Sequence, residues 1–500
     1  MRVTRQTVTI GLLSFAVMHG IAMLLAARVR PHCTPPRSGI GILVHMLVLT
    51  IVFGACLALS GSAPVAAVLG VALMALFAVA SNAKRMMLGE PLSFSDLALL
   101  AAMARHPGFY LTALSSVQLA AGGVGTLCLA LALTTLFVPD AAPHLVGFGV
   151  TIGAVLALVM LMRSRACQAL AHTPDLDADL ARHGLVAVLL LYWLRWRETP
   201  NPPPSPYAVV VPTRAADATD VAHHDRRAAC DLVLVIQCES FADPVALTGN
   251  PADALPGLAR ARRLAVQWGD LQVSGFGAYT MRTEYGVLFG RSEAALGFRR
   301  YDPFLTARGE ASYALSARFG ALGYQCLFVH PHDLRFYGRD RLMPAIGFDR
   351  LIGEPAFPAA APGKGRYVED RAVAAVLRDV LDQTPDPAFV YTVTMENHGP
   401  WRDERIAGLP GGLDAYLHHL RNSDAMLTDL IDHLTATKRS ALLVFFGDHR
   451  PSIPGVVDPG PVRHTPYVML RFVDGAVVAG NPEPVALTPD ELHHAILRAH

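Results

Sequence analysis

Hydrophobic and polar positions follow two regimes along this chain. Through the first third, nearly charge-free stretches recur at residues 8–27, 39–60, 63–82, 116–137 and 143–162. Each is about 20 residues long, enough at 1.5 Å per residue to cross a hydrocarbon core about 30 Å thick. They predict five membrane-spanning helices within residues 1–165. A cleaved signal peptide is a weaker account of the first stretch, because four more follow and no small-residue cleavage site stands out. From residue 229 onward the pattern changes to short apolar runs at 231–238, 324–330, 388–395 and 441–447, which read as buried strands. Amphipathic segments such as Arg371–Leu381 and Leu413–Leu434 separate them. That alternation predicts an α/β domain built on a largely parallel central sheet.

Between the regimes lie shorter elements. Glu90 to Leu100 opens with a plausible helix cap and leads into apolar residues ending near His106-Pro107, which predicts a helix on the membrane surface. Gly184 to Trp196 is apolar, with Trp193, Trp196 and flanking arginines; it is short for a span and its edge suits an interfacial helix. Thr199 to Pro206 carries five prolines and predicts a stiff, extended linker. The expected organisation is therefore a membrane domain at 1–165, an interfacial helix and linker at 166–228, and a soluble domain at 229–500.

Composition agrees with an integral membrane protein: 52% of the 500 residues are hydrophobic and the mean hydropathy is +0.35. The 42 basic and 41 acidic residues leave a net charge of +1, which points away from nucleic acid. Seven cysteines, an odd number without paired spacing, imply no disulfide framework.

The chemistry sits at strand ends. The run Leu442 to Gly447 delivers Asp448 and His449 at its tip, and the run Asp231 to Cys238 delivers Glu239. In α/β sheets, ligands collect at the carboxyl ends of strands. Two carboxylates and an imidazole form a donor set suited to Mn²⁺, Mg²⁺ or Zn²⁺. Gly275 to Gly290 is a small-residue turn leading into a helix with Thr280 at or near its start. The hydroxyl there either caps the helix or serves as a metal-activated nucleophile for phosphorus at the positive end of the helix dipole. Phe328 to Asp340 gathers His330, His332, Arg335, Tyr337 and Arg339, side chains suited either to a phosphate pocket or to a solvated, salt-bridged loop. His398 lies in a Gly-Pro turn after another strand, where it either stabilises the turn or handles a proton.

Taken in order, Cys238-Glu239-Ser240, Gly277-x-x-Thr280-x-x-Thr283-Glu284, Tyr337-x-Arg339-Asp340, Glu396-Asn397-His398 and Gly447-Asp448-His449 resemble the lipoteichoic acid synthase family. These are membrane phosphoglycerol transferases of the sulfatase and alkaline phosphatase superfamily, and the wording is closest to Gram-negative members associated with surface polysaccharides and periplasmic glucans. The resemblance implies that Glu239, Thr280, Asp448 and His449 hold one divalent metal ion, Mn²⁺ foremost, with Mg²⁺ or Zn²⁺ as alternatives. It implies that Thr280 becomes covalently phosphoglycerylated and that Tyr337, Arg339, His398 and His332 contact the substrate. Tyr337 stands where a tryptophan is usual and His332 where an acidic residue is usual.

The implied donor is a phospholipid such as phosphatidylglycerol, and the implied acceptor a glycan or polysaccharide of the cell envelope. The implied location is the inner membrane, with several spans and a periplasmic catalytic domain. Loop charges pull against that orientation: Arg28, Arg30, Arg37, Lys84, Arg85, Arg163 and Arg165 would face the cytoplasm by the positive-inside rule. A phosphoethanolamine transferase and an inactive membrane scaffold are the alternatives. A sulfate-ester hydrolase would carry a Cys or Ser in a C/S-x-P-x-R setting for conversion to formylglycine, and Thr280 cannot be so converted.

Overall fold

A computed structural model describes residues 5–32, 37–97, 116–205, 230–358, 366–409, 411–478, 480 and 483–500. They form two compact units, Met1–Thr199 and Pro200–His500.

In the first unit, four helices among the described residues are long and apolar enough to cross a membrane: Val8–Ala26, Gly39–Ser60, Ala63–Leu88 and Ala141–Arg163. The remaining expected span coincides with a 20-residue helix, Ser116–Thr135, several of whose side chains lie outside the described set. Helix ends follow the local chemistry. The Ser38 hydroxyl accepts the Gly41 N–H and caps Gly39–Ser60, which then stops at Gly61 in the left-handed conformation. Gly39–Ser60 and Ala141–Arg163 cross closely because glycines face each other. A Cβ on Gly147 would lie 2.3 Å from the Ala58 nitrogen and 2.7 Å from the Gly54 carbonyl oxygen. Small residues that let backbones approach are the usual device for joining helices in lipid.

The expected interfacial helix appears as Leu185–Glu198, but its apolar positions are spent inside the unit. Leu185 to Leu189, Leu191 and Tyr192 are buried, and the Tyr192 hydroxyl donates to Asp179 at 2.6 Å. At 1.5 Å per residue its 14 residues reach about 21 Å, short of a bilayer core. Of the surface helix expected after Glu90, Phe94 to Leu97 are helical, and the expected residues beyond Leu97 lie outside the described set.

The second unit is built on one eight-stranded sheet: β1 (Leu232–Cys238), β2 (Gln267–Leu271), β3 (Gln325–Val329), β4 (Arg350–Ile352), β5 (Ala388–Val393), β6 (Ala441–Gly447), β7 (Thr465–Val473) and β8 (Ala476–Val477), in the order β2-β7-β6-β1-β5-β3-β4, with β8 on β7. From β6 to β4 the pairing is parallel, and β7, β2 and β8 add an antiparallel margin. The four expected strands are present, and parallel pairing explains why they read as unbroken apolar runs: both faces are covered. Leu232, Leu234 and Ile236 pack with the helices Asp370–Gln383 and Gly412–Thr437 on one face. Val233 and Val235 pack with Thr280–Phe289 and Pro489–Ala499 on the other. The resulting three layers match the expected fold class.

The described part of the proline-rich stretch does not hang as a free linker. Pro203 accepts the Tyr313 hydroxyl, Asn201 accepts from Arg299, and the Ser205 N–H donates to Ser312, which ties residues 200–205 to the second unit.

Burial has filled this unit with neutral histidines. His493, with its Nδ1 on the Val287 carbonyl, is pushed down to about 3 by burial, and His419 to about 4. Their folded pKa values lie below the unfolded value of about 6.5, so the unfolded chain binds more protons and stability falls as pH drops below that point. Glu396, raised to about 7 by burial, acts with the opposite sign, its contribution being lost as pH climbs through 7. Each fully buried histidine should cost about 2 kcal/mol between pH 6.5 and 5. The expected result is a falling unfolding midpoint of the full-length protein over that range and a shallower slope in His493→Gln, which keeps a donor for Val287. An unchanged slope in the variant would remove His493 from the account.

Candidate active site

The register of β1 against β6 builds the centre. Cys238 pairs with Gly447, so the next residues, Glu239 and Asp448, emerge side by side at the carboxyl edge of the sheet. Gly447 is required there: a Cβ would lie 1.9 Å from the Phe241 carbonyl oxygen. His449 follows Asp448, and Thr280 enters from the first position of the helix Thr280–Phe289, all ten of whose residues are buried. Together, ligand atoms of Glu239, Asp448 and His449 lie within 4.8 Å of one another, and all three residues are buried.

The Thr280 hydroxyl is 3.3 Å from Glu239 Oε2 and 3.5 Å from His449 Nε2. Nε2 is in turn 3.4 Å from Glu239 Oε1 and 3.5 Å from Asp448 Oδ2. The other ring nitrogen, Nδ1, lies 3.1 Å from the Arg450 carbonyl oxygen, which only accepts. The neutral ring therefore carries its hydrogen on Nδ1 and turns the Nε2 lone pair toward the two carboxylates and the hydroxyl. Asp448 Oδ2 is buried and makes no hydrogen bond. A lone pair, an unsatisfied carboxylate oxygen and a second carboxylate aimed at one point form a donor set that fits a divalent cation. Without that charge, burial and then the neighbouring Glu239 raise the Asp448 carboxyl to about 6. Asp448 and Glu239 raise the His449 imidazole against the opposing effect of burial.

Ser240, part of the Cys-Glu-Ser motif but given no role in the sequence reading, ties the set together. Its N–H donates to Asp448 Oδ1 at 2.7 Å, its hydroxyl donates to Glu239 Oε1 at 3.0 Å, and the same oxygen is 3.3 Å from His449 Nδ1. Ser240, Tyr279 and Tyr337 all hold positive φ, at 46°, 76° and 57°. Each such non-glycine residue costs of order 1–3 kcal/mol; Ser240 and Tyr279 adjoin candidate site residues and Tyr337 is one, which is where strain of this kind concentrates.

The expected substrate residues fall into two further groups. Arg339 is fully buried: Nε and one terminal nitrogen bond both oxygens of Glu284, at 3.2 and 2.5 Å, and the other terminal nitrogen is 3.2 Å from His330 Nε2. His330 Nδ1 donates to the Val393 carbonyl at 2.8 Å, and burial and then Arg339 hold this histidine far below its usual range, as a neutral acceptor. The Tyr337 ring lies 5.2 Å from the Arg339 guanidinium. In the second group, His398 Nδ1 is 2.9 Å from the Gly399 carbonyl and 3.4 Å from the Tyr367 hydroxyl. The Tyr367 ring also packs edge-on against His332, at 5.8 Å. Burial lowers His398 to about 4.

Behind this loop, Glu396 accepts the Asp370 N–H, His419 Nδ1 and Asn422 Nδ2 at 2.5, 2.5 and 2.7 Å, anchoring the turn that carries His398. Glu284, His330 as a support for Arg339, and Tyr367 had no role assigned from sequence. Their partners lie in distant segments, which no local pattern reports.

A family model described as Sulfatase matches residues 231–475. The capsular polysaccharide biosynthesis protein RkpI of Rhizobium meliloti is 30% identical over 481 residues, covering 92% of this chain and 88% of its own. The chain belongs to the sulfatase family. Its whole length also follows the fold of the integral membrane lipooligosaccharide phosphoethanolamine transferase EptA from Neisseria meningitidis, with a TM-score of 0.55 over 98% of this chain and 94% of that one, at 12% identity. The Streptococcus pyogenes phosphoglycerol transferase GacH aligns with a TM-score of 0.43 and 17% identity over 54% of this chain and 74% of that one. As a family member, this chain carries one C-x-P-x-R stretch, Cys33-Thr34-Pro35-Pro36-Arg37, but it precedes the first position of the sulfatase segment by almost 200 residues. The residue beside the candidate ligand Glu239 is Thr280.

Two outcomes test this arrangement. Purified full-length protein should carry one divalent ion per chain by elemental analysis, and Asp448→Asn should reduce that content at least tenfold, the order seen when metal-site partners are removed. Arg339→Met should cost about 3–5 kcal/mol by leaving Glu284 buried and unpaired, and adding Glu284→Gln should recover much of the loss in the unfolding midpoint.

Proposed function

We propose that this protein is a membrane phosphotransferase that moves a phosphoglycerol group from a phospholipid, by way of Thr280, to a glycan or polysaccharide of the cell envelope. The observation that carries the reading is the Thr280 hydroxyl at the start of a buried helix, within 3.5 Å of both Glu239 and His449. A hydroxyl that merely capped the helix would bond backbone N–H groups of its own first turn; this one faces the carboxylate and imidazole set instead. The relative's role in capsular polysaccharide biosynthesis supports an envelope polymer as acceptor.

When bound by Glu239, Thr280, Asp448 and His449, a divalent cation, Mn²⁺ foremost, supplies a lowered hydroxyl pKa and positive charge for the phosphoryl oxygens. The protein's own groups do the rest. Thr280 Oγ1 attacks phosphorus, the bond to diacylglycerol breaks, and diacylglycerol leaves with a proton. The phosphoryl oxygens develop charge at the positive end of the Thr280–Phe289 helix. His398, with its Nδ1 hydrogen on the Gly399 carbonyl, presents Nε2 as a proton acceptor for the incoming hydroxyl. Arg339, Tyr337 and His332 contact the transferred group. Spans in the same chain keep the lipid donor at high local concentration, and such a donor fits an extracytoplasmic catalytic domain on the inner membrane.

Head-group identity is the second axis. The fold likeness to a phosphoethanolamine transferase makes that group the competing cargo. Incubating full-length protein with phosphatidylglycerol or phosphatidylethanolamine labelled in the head group should leave label on the protein from the glycerol lipid alone. Thr280→Ala should reduce that labelling by roughly 10⁴-fold or more while metal content is kept. Persistent labelling of the variant would sink the nucleophile assignment, and label from the ethanolamine lipid alone would change the cargo.

A further inference from the structure

A cavity of about 410 Å³ adjoins the His398 loop; it lies outside the cation set, and of its lining only His332 is shared with the residues proposed to contact the transferred group. Its walls include His332, Glu354, Phe357, Arg366 and Tyr367. Tyr367 joins it to the centre. This side chain is 8% exposed, its hydroxyl is 3.4 Å from His398 Nδ1, and its ring packs against both His398 and His332, at 5.6 and 5.8 Å.

Resting on the function proposed above, we infer that this cavity is the acceptor subsite, that it takes a sugar ring, and that Tyr367 positions the attacking hydroxyl against His398.

Three observations converge on a saccharide. First, the wall carries both signs of charge. A phosphodiester subsite would be lined by cations, whereas Glu354 repels phosphate and, with Arg366, offers an acceptor and donors to neighbouring sugar hydroxyls. Second, the aromatic and proline surface of Phe357, Tyr367 and Pro331 suits the C–H faces of a pyranose. Two acyl chains would need a long apolar trench, and this wall is interrupted by charge at Glu354 and Arg366. The volume falls within the range of small-molecule sites, which start at about 300 Å³. Third, the hydrogen bonding is directional. His398 Nδ1 gives its hydrogen to the Gly399 carbonyl, so the Tyr367 oxygen stands beside an N–H and its own hydrogen is available to an acceptor oxygen.

The transfer step then balances. The sugar hydroxyl oxygen bonds to the phosphorus carried on Thr280, the bond from phosphorus to Thr280 Oγ1 breaks, and the sugar's proton passes to His398 Nε2. The Thr280 oxygen regains a proton, which restores both side chains.

The test separates the two half-reactions in the full-length protein, in detergent micelles containing head-group-labelled phosphatidylglycerol. Two probes serve as acceptor: a neutral β-linked gluco-oligosaccharide and a uronate-containing oligosaccharide. For Glu354→Gln and Arg366→Ala, labelling of Thr280 should stay within about twofold of wild type, while transfer to the saccharide falls at least tenfold through a raised KM. Tyr367→Phe should lower kcat for transfer with KM nearly kept, because the ring remains and the hydroxyl goes. Saccharide binding to the Thr280→Ala protein, followed by saturation-transfer NMR, should weaken in parallel in Glu354→Gln and Arg366→Ala. Wild-type transfer rates in all three variants would overturn the subsite, as would failure of the wild type either to bind or to modify both saccharides. Failure of Thr280 to label at all would instead overturn the function reading, leaving the NMR binding arm to decide the cavity.

Discussion

The parallel pairing of β1 with β6 is the constraint on which the rest depends. It sets Cys238 opposite Gly447 and so fixes Glu239 and Asp448 as neighbours, although more than 200 residues separate them in the chain. The strand ends are buried on both faces and cannot drift, because helices from two core layers hold them. A centre that must hold two carboxylates, an imidazole and a hydroxyl at hydrogen-bond distances needs that rigidity. The missing side chain at Gly447 lets the Phe241 backbone close over the pair.

Around this pair the protein accepts local costs. Three non-glycine residues hold positive φ at or next to candidate site residues, and Arg339 and Glu284 form an ion pair removed from water. A buried pair of that kind contributes little net stability, since desolvation offsets most of the attraction. Its value lies in geometry: with Glu284 and His330 fixing the guanidinium, the Tyr337 ring is held beside a stationary charge.

Much of this was legible in the sequence, for physical reasons. Buried parallel strands leave unbroken apolar runs, and the candidate ligands Glu239, Asp448 and His449 follow them directly, so strand and chemistry announce each other. Thr280 was legible as a residue at a helix start, with capping and nucleophilic readings both open; only its distances to Glu239 and His449 favour one. Other features were not readable. The antiparallel margin of β2 and β7 escaped because β2 is short and carries Gly269 and Asp270, and β7 carries Pro466 at its second position. Gly184 to Trp196 looked amphipathic at its edges, yet its apolar side chains pack within its own unit, a tertiary outcome that periodicity does not encode. Arg339 suggested phosphate, and its bond to Glu284, 55 residues away, is a long-range fact. Tyr367 sits in an aperiodic loop and carries no local signal at all.

The strand register also decides which changes of length the protein can absorb. Segments between strands lengthen at a small entropic cost that grows only with the logarithm of loop size. Gain or loss of one residue inside β6 is different. Side chains alternate faces along a strand, so a single slip would turn Asp448 from the edge it shares with Glu239 toward the opposite core layer and exchange every apolar partner behind it. Evolution can therefore vary this protein's size between its strands while the strand tips, measured in residues from the last paired position, stay countable to the unit.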